Sequence, residues 1–174
     1  KTHGAVFMIT ICMAGACGRM GRRILELTSG IENMAAGSAL DLPALAGTEI
    51  AVTLSNGKEE RLVVGADSRA EIGKAQVLID FTAPAACLEH VAVAEAMKKP
   101  AVVGTTGLSA EQVEALKRFA QNIPVVYAPN MSVGVNLLFK LTEEVARRLG
   151  LAYNVEIVEA HHNLKKDSPS GTAV

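Results

Sequence analysis

The sequence has 174 residues, of which 49% are hydrophobic and 20% are charged, and its 17 basic and 18 acidic side chains leave a formal net charge of −1. This composition predicts a globular protein with one full domain and part of a second. Because the charges are balanced and no more than two basic residues occur in succession, we expect a small-molecule ligand and no binding to nucleic acid.

Cysteine usage and hydropathy are typical of a reducing, aqueous compartment. Cys12, Cys17 and Cys87 include no CxxC pair, so the sequence predicts neither a disulfide framework nor a zinc site. The apolar stretches are interrupted well before the about 20 residues that a membrane helix needs. We therefore expect a cytoplasmic protein that does not enter a membrane and binds no metal. We expect His3 and His90 to be structural or surface residues.

Short apolar runs alternate with longer stretches of helical spacing, which is typical of βαβ units. The predicted strands span residues 6–14, 34–40, 77–81, 101–103, 124–127 and 154–160. The predicted helices span residues 22–29, 85–98 and 133–149, and a further helix begins after Ser109, with Gln112 at capping-box spacing. The predicted fold class is α/β, with a Rossmann-like parallel sheet and helices on both faces.

Residues 50–64 depart from this alternation. Two runs of alternating apolar and polar residues flank Asn56 and Gly57, a dipeptide that favours a type I′ turn between paired strands. We expect this hairpin to be a surface insertion.

Three glycines, Gly15, Gly18 and Gly21, lie between the first predicted strand and the first predicted helix. Glycines at this place permit a tight turn and close backbone approach, and the open helix N-terminus binds phosphate. A plain strand–turn–helix connection would explain the glycines alone, and a solvated loop acid would explain Asp41 alone. However, Asp41 ends the second strand about 20 residues later, where a carboxylate would hold a ribose hydroxyl. Together the two features favour a dinucleotide.

The residues near Asp41 favour NADH over NADPH. Leu42 offers no cation to a 2′-phosphate, and the Asp41 carboxylate repels one. Arg19 leaves the preference open, because its side chain could lie against either the adenine or a phosphate.

Polar and glycine residues follow three further strands, at residues 81–82, 104–107 and 130–132. The carboxyl ends of parallel strands lie at one edge of the sheet, where open α/β folds bind their ligands. Each segment alone is equally well explained as ordinary turn chemistry. Three in succession indicate a binding edge.

Residues 161–172 follow the last predicted strand and read HHNLKKDSPSGT. Histidine can donate a proton near neutral pH, and a nearby lysine can hold a negatively charged substrate. The segment 170–172 could present N–H groups and hydroxyls to a carboxylate. A polar surface loop is the alternative. The adjacent His161 and His162 lack the spacing of a metal site.

Five segments of the sequence match the motifs of one known family. They are AGACGRMGR at 14–22, DFTAP at 80–84, VVGTTG at 102–107, PNMSVGVN at 129–136 and EAHHNLKKDSPSGTA at 159–173. In these segments the sequence resembles the 4-hydroxy-tetrahydrodipicolinate reductases, also called dihydrodipicolinate reductases, of bacterial lysine and diaminopimelate synthesis. The segments span almost the whole chain in the family's order, and the last is highly specific.

The resemblance implies reduction of the unsaturated ring of a small dicarboxylate, the dipicolinate precursor, by hydride from NADH or NADPH. It implies a dinucleotide-binding Rossmann domain at residues 1–132. Residues 133–174 would then begin an α+β domain for substrate binding and oligomerisation, and the full-length protein would be a homotetramer. Family members continue beyond the PSGT turn, so we expect the sequence to be incomplete.

The resemblance also assigns residue roles. His161 is similar to the family's proton donor and Lys165 to a second donor or charge stabiliser, and the positions at the substrate carboxylate are His162, Gly171 and Thr172. The matching cofactor contacts are Gly15, Ala16, Cys17, Gly18, Arg19, Met20, Asp41, Gly104, Thr105, Thr106, Ala128, Pro129, Asn130 and Met131.

Two alternatives remain at this point. The chain could bind a dinucleotide without turnover, or it could be another Rossmann dehydrogenase that acts on an amino acid or a semialdehyde. The reductase hypothesis requires the glycine turn and the paired histidines to face each other across one crevice.

Overall fold

The computed structural model describes residues 8–28, 30–53, 57–161, 163, 169–170 and 172–173. The chain divides into two compact units, Lys1–Tyr127 and Ala128–Val174. The functional division predicted at residues 1–132 and 133–174 stays a prediction.

Within the described residues, the first unit forms a seven-stranded sheet in the order β3-β4-β2-β1-β5-β6-β7. The strands are β1 (Ile9–Ala14), β2 (Met34–Leu40), β3 (Glu49–Thr53), β4 (Glu59–Gly65), β5 (Val77–Asp80), β6 (Ala101–Val103) and β7 (Val125–Tyr127). All neighbouring strands pair in parallel except β3 and β4, which are antiparallel. The helices are α1 (Arg19–Thr28), α2 (Ser68–Gly73), α3 (Pro84–Ala96) and α4 (Ala110–Phe119), and α5 (Val133–Leu149) belongs to the second unit.

Helices cover both faces of this sheet. Successive strand residues point to opposite faces, and the two clusters of buried side chains divide β1 in this way. Cys12 packs with Val91 of α3 on one face, and Met13 packs with Leu25 of α1 on the other. The α/β, Rossmann-like fold class is confirmed.

Local capping explains where two of the helices begin. The Ser109 hydroxyl accepts a hydrogen bond from Gln112 N at 3.3 Å, and Ser109 N donates to Gln112 Oε1 at 2.8 Å, which is the predicted capping box. The sequence analysis missed α2, whose N-cap Asp67 accepts a hydrogen bond from Ala70 N at 2.9 Å. At six residues, α2 is too short to show clear helical periodicity.

The hairpin at residues 50–64 is part of the main sheet, so the prediction of a surface insertion was wrong. β4 pairs in parallel with β2 through Ala39–Val64 and Leu40–Gly65, and Ile50 and Val52 of β3 are buried. The alternation of apolar and polar residues indicates strands that cover one face of the core, and the sequence alone could not show which strand they pair with. The predicted turn at Asn56 lies outside the described residues, and Thr53 pairs with Glu59.

The second unit begins with residues 128–132 and continues into α5, where the Ser132 hydroxyl accepts a hydrogen bond from Val135 N at 3.4 Å. α5 ends at Gly150, which has φ 62°. The strand predicted at residues 154–160 is absent from this part of the described chain, and that prediction was wrong. Its apolar residues favour β structure, but a strand is defined by hydrogen bonds to a neighbour, and no described residues pair with this segment. None of the helices in the described ranges combines the length and hydropathy of a bilayer-spanning helix.

Candidate functional site

The glycine turn after β1 is shaped by close backbone packing. Gly15 has φ 81°, and a Cβ atom there would lie 2.3 Å from the carbonyl oxygen of Phe81. A Cβ atom at Gly21 would lie 2.1 Å from the carbonyl oxygen of Gly15. Both positions therefore require glycine, the first for the turn and its contact with the segment after β5, the second for packing of α1 against the turn.

Gly18 is under less internal constraint than Gly15 and Gly21. A Cβ atom there would lie 3.2 Å from the carbonyl oxygen of Gly15, and the Gly18 N–H donates to that oxygen at 3.0 Å. α1 starts at the next residue, Arg19, and the first turn of a helix leaves N–H groups without intrahelical partners. The first turn of α1 therefore presents backbone donors next to a glycine that carries no side chain, as a phosphate site requires.

Asp41 lies beside this turn, immediately after β2. Its Oδ2 accepts a hydrogen bond from Cys17 N at 2.8 Å, and its Oδ1 accepts one from Leu42 N at 2.8 Å. Each carboxylate oxygen can accept a second hydrogen bond, so the group retains acceptors for two hydroxyls. A cradle without side chains next to a fixed carboxylate fits the phosphate and ribose groups of a dinucleotide.

Three exposed side chains surround the turn and Asp41. Arg19 and Met20 are exposed at the beginning of α1, and Leu42 is 64% exposed. The guanidinium of Arg22 is fixed by a hydrogen bond from its Nε to Cys17 O at 3.1 Å. Arg19 is thus an exposed cation beside the turn, whereas Arg22, also exposed, braces the turn through its Nε.

The cysteine thiols differ in accessibility. Burial raises the pKa of Cys12 to about 11 and that of Cys87 to about 12. Cys17 is partly exposed, and its pKa is raised by burial and by the neighbouring Asp41 carboxylate. All three thiols are therefore kept protonated near neutral pH, and Cys17 alone among them is accessible.

Asp80, the last residue of β5, is fully buried and is the centre of a hydrogen-bond network. Its Oδ1 accepts from Thr82 Oγ1 at 2.7 Å and from Thr105 Oγ1 at 2.6 Å, and its Oδ2 lies 2.7 Å from Nδ1 of His90. Burial alone would raise the pKa of Asp80, but the hydrogen bonds from His90, Thr105 and Thr82 outweigh burial and hold that pKa below its ordinary value. Asp80 is therefore a buried carboxylate anion.

The Asp80 network occupies the hydroxyl of Thr105, a residue after β6 that was predicted to contact the cofactor. Thr105 is 2% exposed, and besides donating to Asp80 its hydroxyl accepts a hydrogen bond from Thr82 N at 2.8 Å. A cofactor contact at Thr105 is therefore left to its backbone. A Cβ atom at Gly104 would lie 2.1 Å from the Phe81 ring, so this glycine makes room for that ring, and Thr106 is exposed.

The second unit brings together residues that were predicted to contact different ligands. Asn130, predicted at the cofactor, donates from Nδ2 to Oγ1 of Thr172, predicted at the substrate, at 3.0 Å. The Asn130 carbonyl accepts from Asn136 Nδ2 at 2.8 Å, and its Oδ1 accepts from Ser132 N at 2.9 Å. Asn130 therefore links the beginning of α5 to the PSGT turn.

His161 lies at a cavity of about 730 Å³ within the second unit. Its Nδ1 is 3.6 Å from Oε2 of Glu159, whose Oε1 accepts a hydrogen bond from Ser170 N at 2.9 Å. Leu138 and Phe139 of α5 form part of an apolar wall, and Thr172 also lines the cavity. A cavity lined by apolar side chains together with the polar residues His161, Ser170 and Thr172 suits a small ring that carries charged groups.

Several predicted residues cannot be placed. His162, Lys165 and Gly171 lie outside the described residues, as does His3. In the portion of the chain that the structure describes, His, Cys, Asp and Glu side chains form no group of three or more that could hold a metal ion.

Comparison with known proteins agrees with the fold and with the motifs. The fold is that of Rossmann-like α/β proteins. The model of the family "Dihydrodipicolinate reductase, N-terminus" matches residues 9–131, and "Dihydrodipicolinate reductase, C-terminus" matches residues 134–174. The chain belongs to the dihydrodipicolinate reductase family.

Two bacterial relatives are named 4-hydroxy-tetrahydrodipicolinate reductase. The chain is 43% identical over 174 residues to the 4-hydroxy-tetrahydrodipicolinate reductase of Aromatoleum aromaticum, covering 100% of this chain and 63% of that protein. It is 46% identical over 166 residues to the reductase of Ralstonia pickettii, covering 94% of this chain and 62% of that protein. The chain thus spans less than two thirds of the length of these relatives.

A solved structure also matches both units. The dipicolinate-bound dihydrodipicolinate reductase of Paenisporosarcina sp. TG-14 is 29% identical with a TM-score of 0.72, covering 96% of this chain and 63% of that chain.

Proposed function

We propose that the chain carries the nucleotide-binding part and the proton-donating segment of an NAD(P)H-dependent 4-hydroxy-tetrahydrodipicolinate reductase. The reaction converts 4-hydroxy-tetrahydrodipicolinate to tetrahydrodipicolinate in diaminopimelate and lysine biosynthesis. The 4-hydroxyl leaves as water, and one hydride from NAD(P)H and one proton are added to the ring as NAD(P)+ forms. The observation that carries the proposal is the Asp41 carboxylate bonded to the glycine turn at the N-terminus of α1. The identity to named reductases along the whole chain supports the choice of substrate.

The cofactor binds, in this proposal, at the edge of the first unit. The proposed contacts in the first unit are the glycine turn, Asp41 and the segment 104–106, and the family resemblance adds the segment 128–131 of the second unit. The backbone donors of the turn hold the phosphates, and Asp41 accepts hydrogen bonds from the ribose. When bound, the dinucleotide supplies hydride.

NADH is the proposed preferred cofactor. The Asp41 carboxylate is fixed by two backbone N–H groups and cannot readily turn away from a 2′-phosphate. Leu42 next to it carries no charge. Arg19 is an exposed cation beside the turn that would allow NADPH as a second cofactor.

The second unit supplies the acid. His161 donates a proton to the substrate when hydride arrives, and Lys165 stabilises the developing charge. His162, Gly171 and Thr172 bind a substrate carboxylate. The dipicolinate bound in the Paenisporosarcina structure is a planar dicarboxylate, which supports a ligand of this size and charge. For the full-length protein we propose a cytoplasmic homotetramer, as the family resemblance implies.

The proposal is tested by mixing the full-length gene product with NADH or NADPH and freshly generated 4-hydroxy-tetrahydrodipicolinate. We expect oxidation of the cofactor that depends on both substrates. A folded full-length protein that oxidises neither cofactor would exclude the reductase function. Calorimetry with the 174-residue chain then separates binding from turnover, because a chain that only binds shows heat without oxidation.

The proposed role of His161 as a proton donor is tested by measuring kcat and the NADH dissociation constant separately. We expect His161→Gln to lower kcat by about 100-fold, a typical loss for a general acid, and to leave the NADH dissociation constant unchanged. Glu114→Gln on the exposed surface of α4 is the control for both measurements. An equal loss of NADH affinity would contradict the assignment of His161 as an acid alone.

A further inference from the structure

Asp80 is a buried carboxylate that neither the proposed cofactor contacts nor the proposed proton transfer uses. Its side chain is 0% exposed, and burying a carboxylate is unfavourable unless hydrogen bonds and a cation compensate. A well-packed apolar residue at the end of a buried strand often serves stability as well or better. The role of the carboxylate is therefore sought in how it positions the segments that surround it.

The network joins the segments that follow two adjacent strands. Thr82 lies two residues beyond β5 and Thr105 two residues beyond β6, and both hydroxyls donate to Oδ1 of Asp80. The backbone reinforces this link, because Gly104 N donates to Asp80 O at 2.9 Å and Thr82 N donates to Thr105 Oγ1 at 2.8 Å. One carboxylate thus fixes both segments at the carboxyl edge of the sheet.

The segment after β5 in turn forms a wall of the glycine turn. Phe81 N donates to Ala14 O at 3.1 Å, and a Cβ atom at Gly15 would lie 2.3 Å from Phe81 O and 3.3 Å from Thr82 Cγ2. A displacement of Phe81 and Thr82 would therefore change the packing against Gly15 of the glycine turn. Asp80 itself is covered and does not reach this surface.

His90 completes the network from α3. Its Nδ1 faces Oδ2 of Asp80 at 2.7 Å, and its side chain is only 14% exposed. Since the carboxylate can only accept, Nδ1 carries the hydrogen of this bond. His90 thus holds the carboxylate in the rotamer that leaves Oδ1 for Thr82 and Thr105.

We propose that Asp80 and His90 are a positioning pair for the dinucleotide site, which hold the segments after β5 and β6 against the glycine turn. This inference rests on the proposed function of the first unit as a dinucleotide-binding domain. Neither residue touches the cofactor. Their effect on binding is transmitted through Thr82, Thr105 and the backbone of Phe81.

The test compares two substitutions at His90 in the 174-residue chain. His90→Phe keeps a ring but removes the donor to Asp80, whereas His90→Asn places an amide donor near the position of Nδ1. We expect His90→Phe to raise the NADH dissociation constant by about tenfold, the loss typical of one hydrogen bond to a charged group, and His90→Asn to remain within about threefold. Calorimetry measures both at a temperature where all forms are folded, and hydrogen exchange follows the amides of Thr82 and Gly104.

Thr82→Val provides a second measurement should His90→Phe fail to fold. It removes one hydroxyl donor while leaving Thr105 and His90 in place, and we expect about a threefold rise in the dissociation constant. Faster amide exchange in these variants with unchanged NADH affinity would overturn the positioning role and leave a purely structural one. A wild-type chain that binds neither NADH nor NADPH would overturn the proposed function itself, and the inference with it.

Discussion

In the proposed site, the Asp41 carboxylate both binds the ribose and fixes the glycine turn. Its carboxylate accepts from Cys17 N in the glycine turn and from Leu42 N beside it, so that the ribose position and the phosphate position are fixed to each other. The position of this residue directly after the second strand could be predicted from its spacing of about 20 residues from the glycine turn, because the length of a βαβ unit determines where the second strand ends. The hydrogen bond to Cys17 could not be predicted, because it depends on how the turn is folded.

Removing this carboxylate tests the cofactor preference. We expect Asp41→Ala to weaken NADH binding by about tenfold, because a ribose hydroxyl loses a charged acceptor. NADPH binding should weaken less, since the loss of contact is offset by relief of repulsion with the 2′-phosphate. Calorimetric titrations with both cofactors measure the difference. Equal weakening of both would remove the basis for preferring NADH.

Cys17 reports whether a ligand covers the turn. We expect a thiol-alkylating reagent to modify Cys17 in the native chain, slowly at neutral pH because its pKa is raised and faster as the pH increases. Cys12 and Cys87, with pKa values of about 11 and about 12, should react only after unfolding. Saturating NADH should slow the modification of Cys17, as measured by mass spectrometry of peptides. An unchanged rate would place the cofactor away from the turn.

At the scale of elements, the junction of β1 and α1 depends on glycine at Gly21. A Cβ atom there meets backbone at 2.1 Å, which no side-chain movement can relieve. We therefore expect Gly21→Ala to lower the free energy of unfolding by about 3 kcal/mol, the size of a severe overpacking defect. The matched control is Gly30→Ala beyond the end of α1, where the nearest atom would lie 3.7 Å away, and it should change stability by less than about 0.5 kcal/mol.

Urea denaturation measures both variants of this pair. Similar stability of Gly21→Ala and Gly30→Ala would contradict the packing argument. Gly18→Ala should fall between them in stability, because its Cβ atom would meet one oxygen at 3.2 Å.

The elements that could be predicted are those that are specified locally. The apolar run of β2 and the capping box at Ser109 depend on residues within one strand or one turn of helix. The role of β3 and β4 could not be predicted, since pairing with β2 is a property of the whole sheet. The segment 154–160 is the opposite case. Its apolar residues favour a strand locally, but none of the described residues pairs with it.

At the scale of the molecule, the Asp80 network is the part of the site that sequence reasoning missed. Its members are Asp80, Thr82, His90 and Thr105, and Thr105 joins the other three because β5 and β6 are adjacent in the sheet. The motif DFTAP begins with Asp80, but a carboxylate at the end of an apolar strand is also what a solvated loop acid would look like. Only its complete burial distinguishes the two.

The ionisation of Asp80 makes stability depend on pH. Because its pKa in the folded chain lies below the ordinary value, the folded state binds this proton more weakly than the unfolded state does. The stabilisation is fully present above the unfolded carboxyl range, at about pH 4, and is lost as the pH falls through the lower folded pKa. Urea denaturation at a series of pH values measures this loss, which should be smaller in Asp80→Asn. Identical profiles for both proteins would contradict an ionised Asp80.

We propose that the full-length protein binds a nicotinamide dinucleotide and delivers its hydride to a dicarboxylate ring. The most direct measurement follows deuterium from NADH, labelled at the transferring position of the nicotinamide, in a single turnover of the full-length protein with 4-hydroxy-tetrahydrodipicolinate. We expect one deuterium in the tetrahydrodipicolinate product, as measured by mass spectrometry. A folded protein that binds labelled NADH and forms product without deuterium, or forms no product, would contradict this proposal.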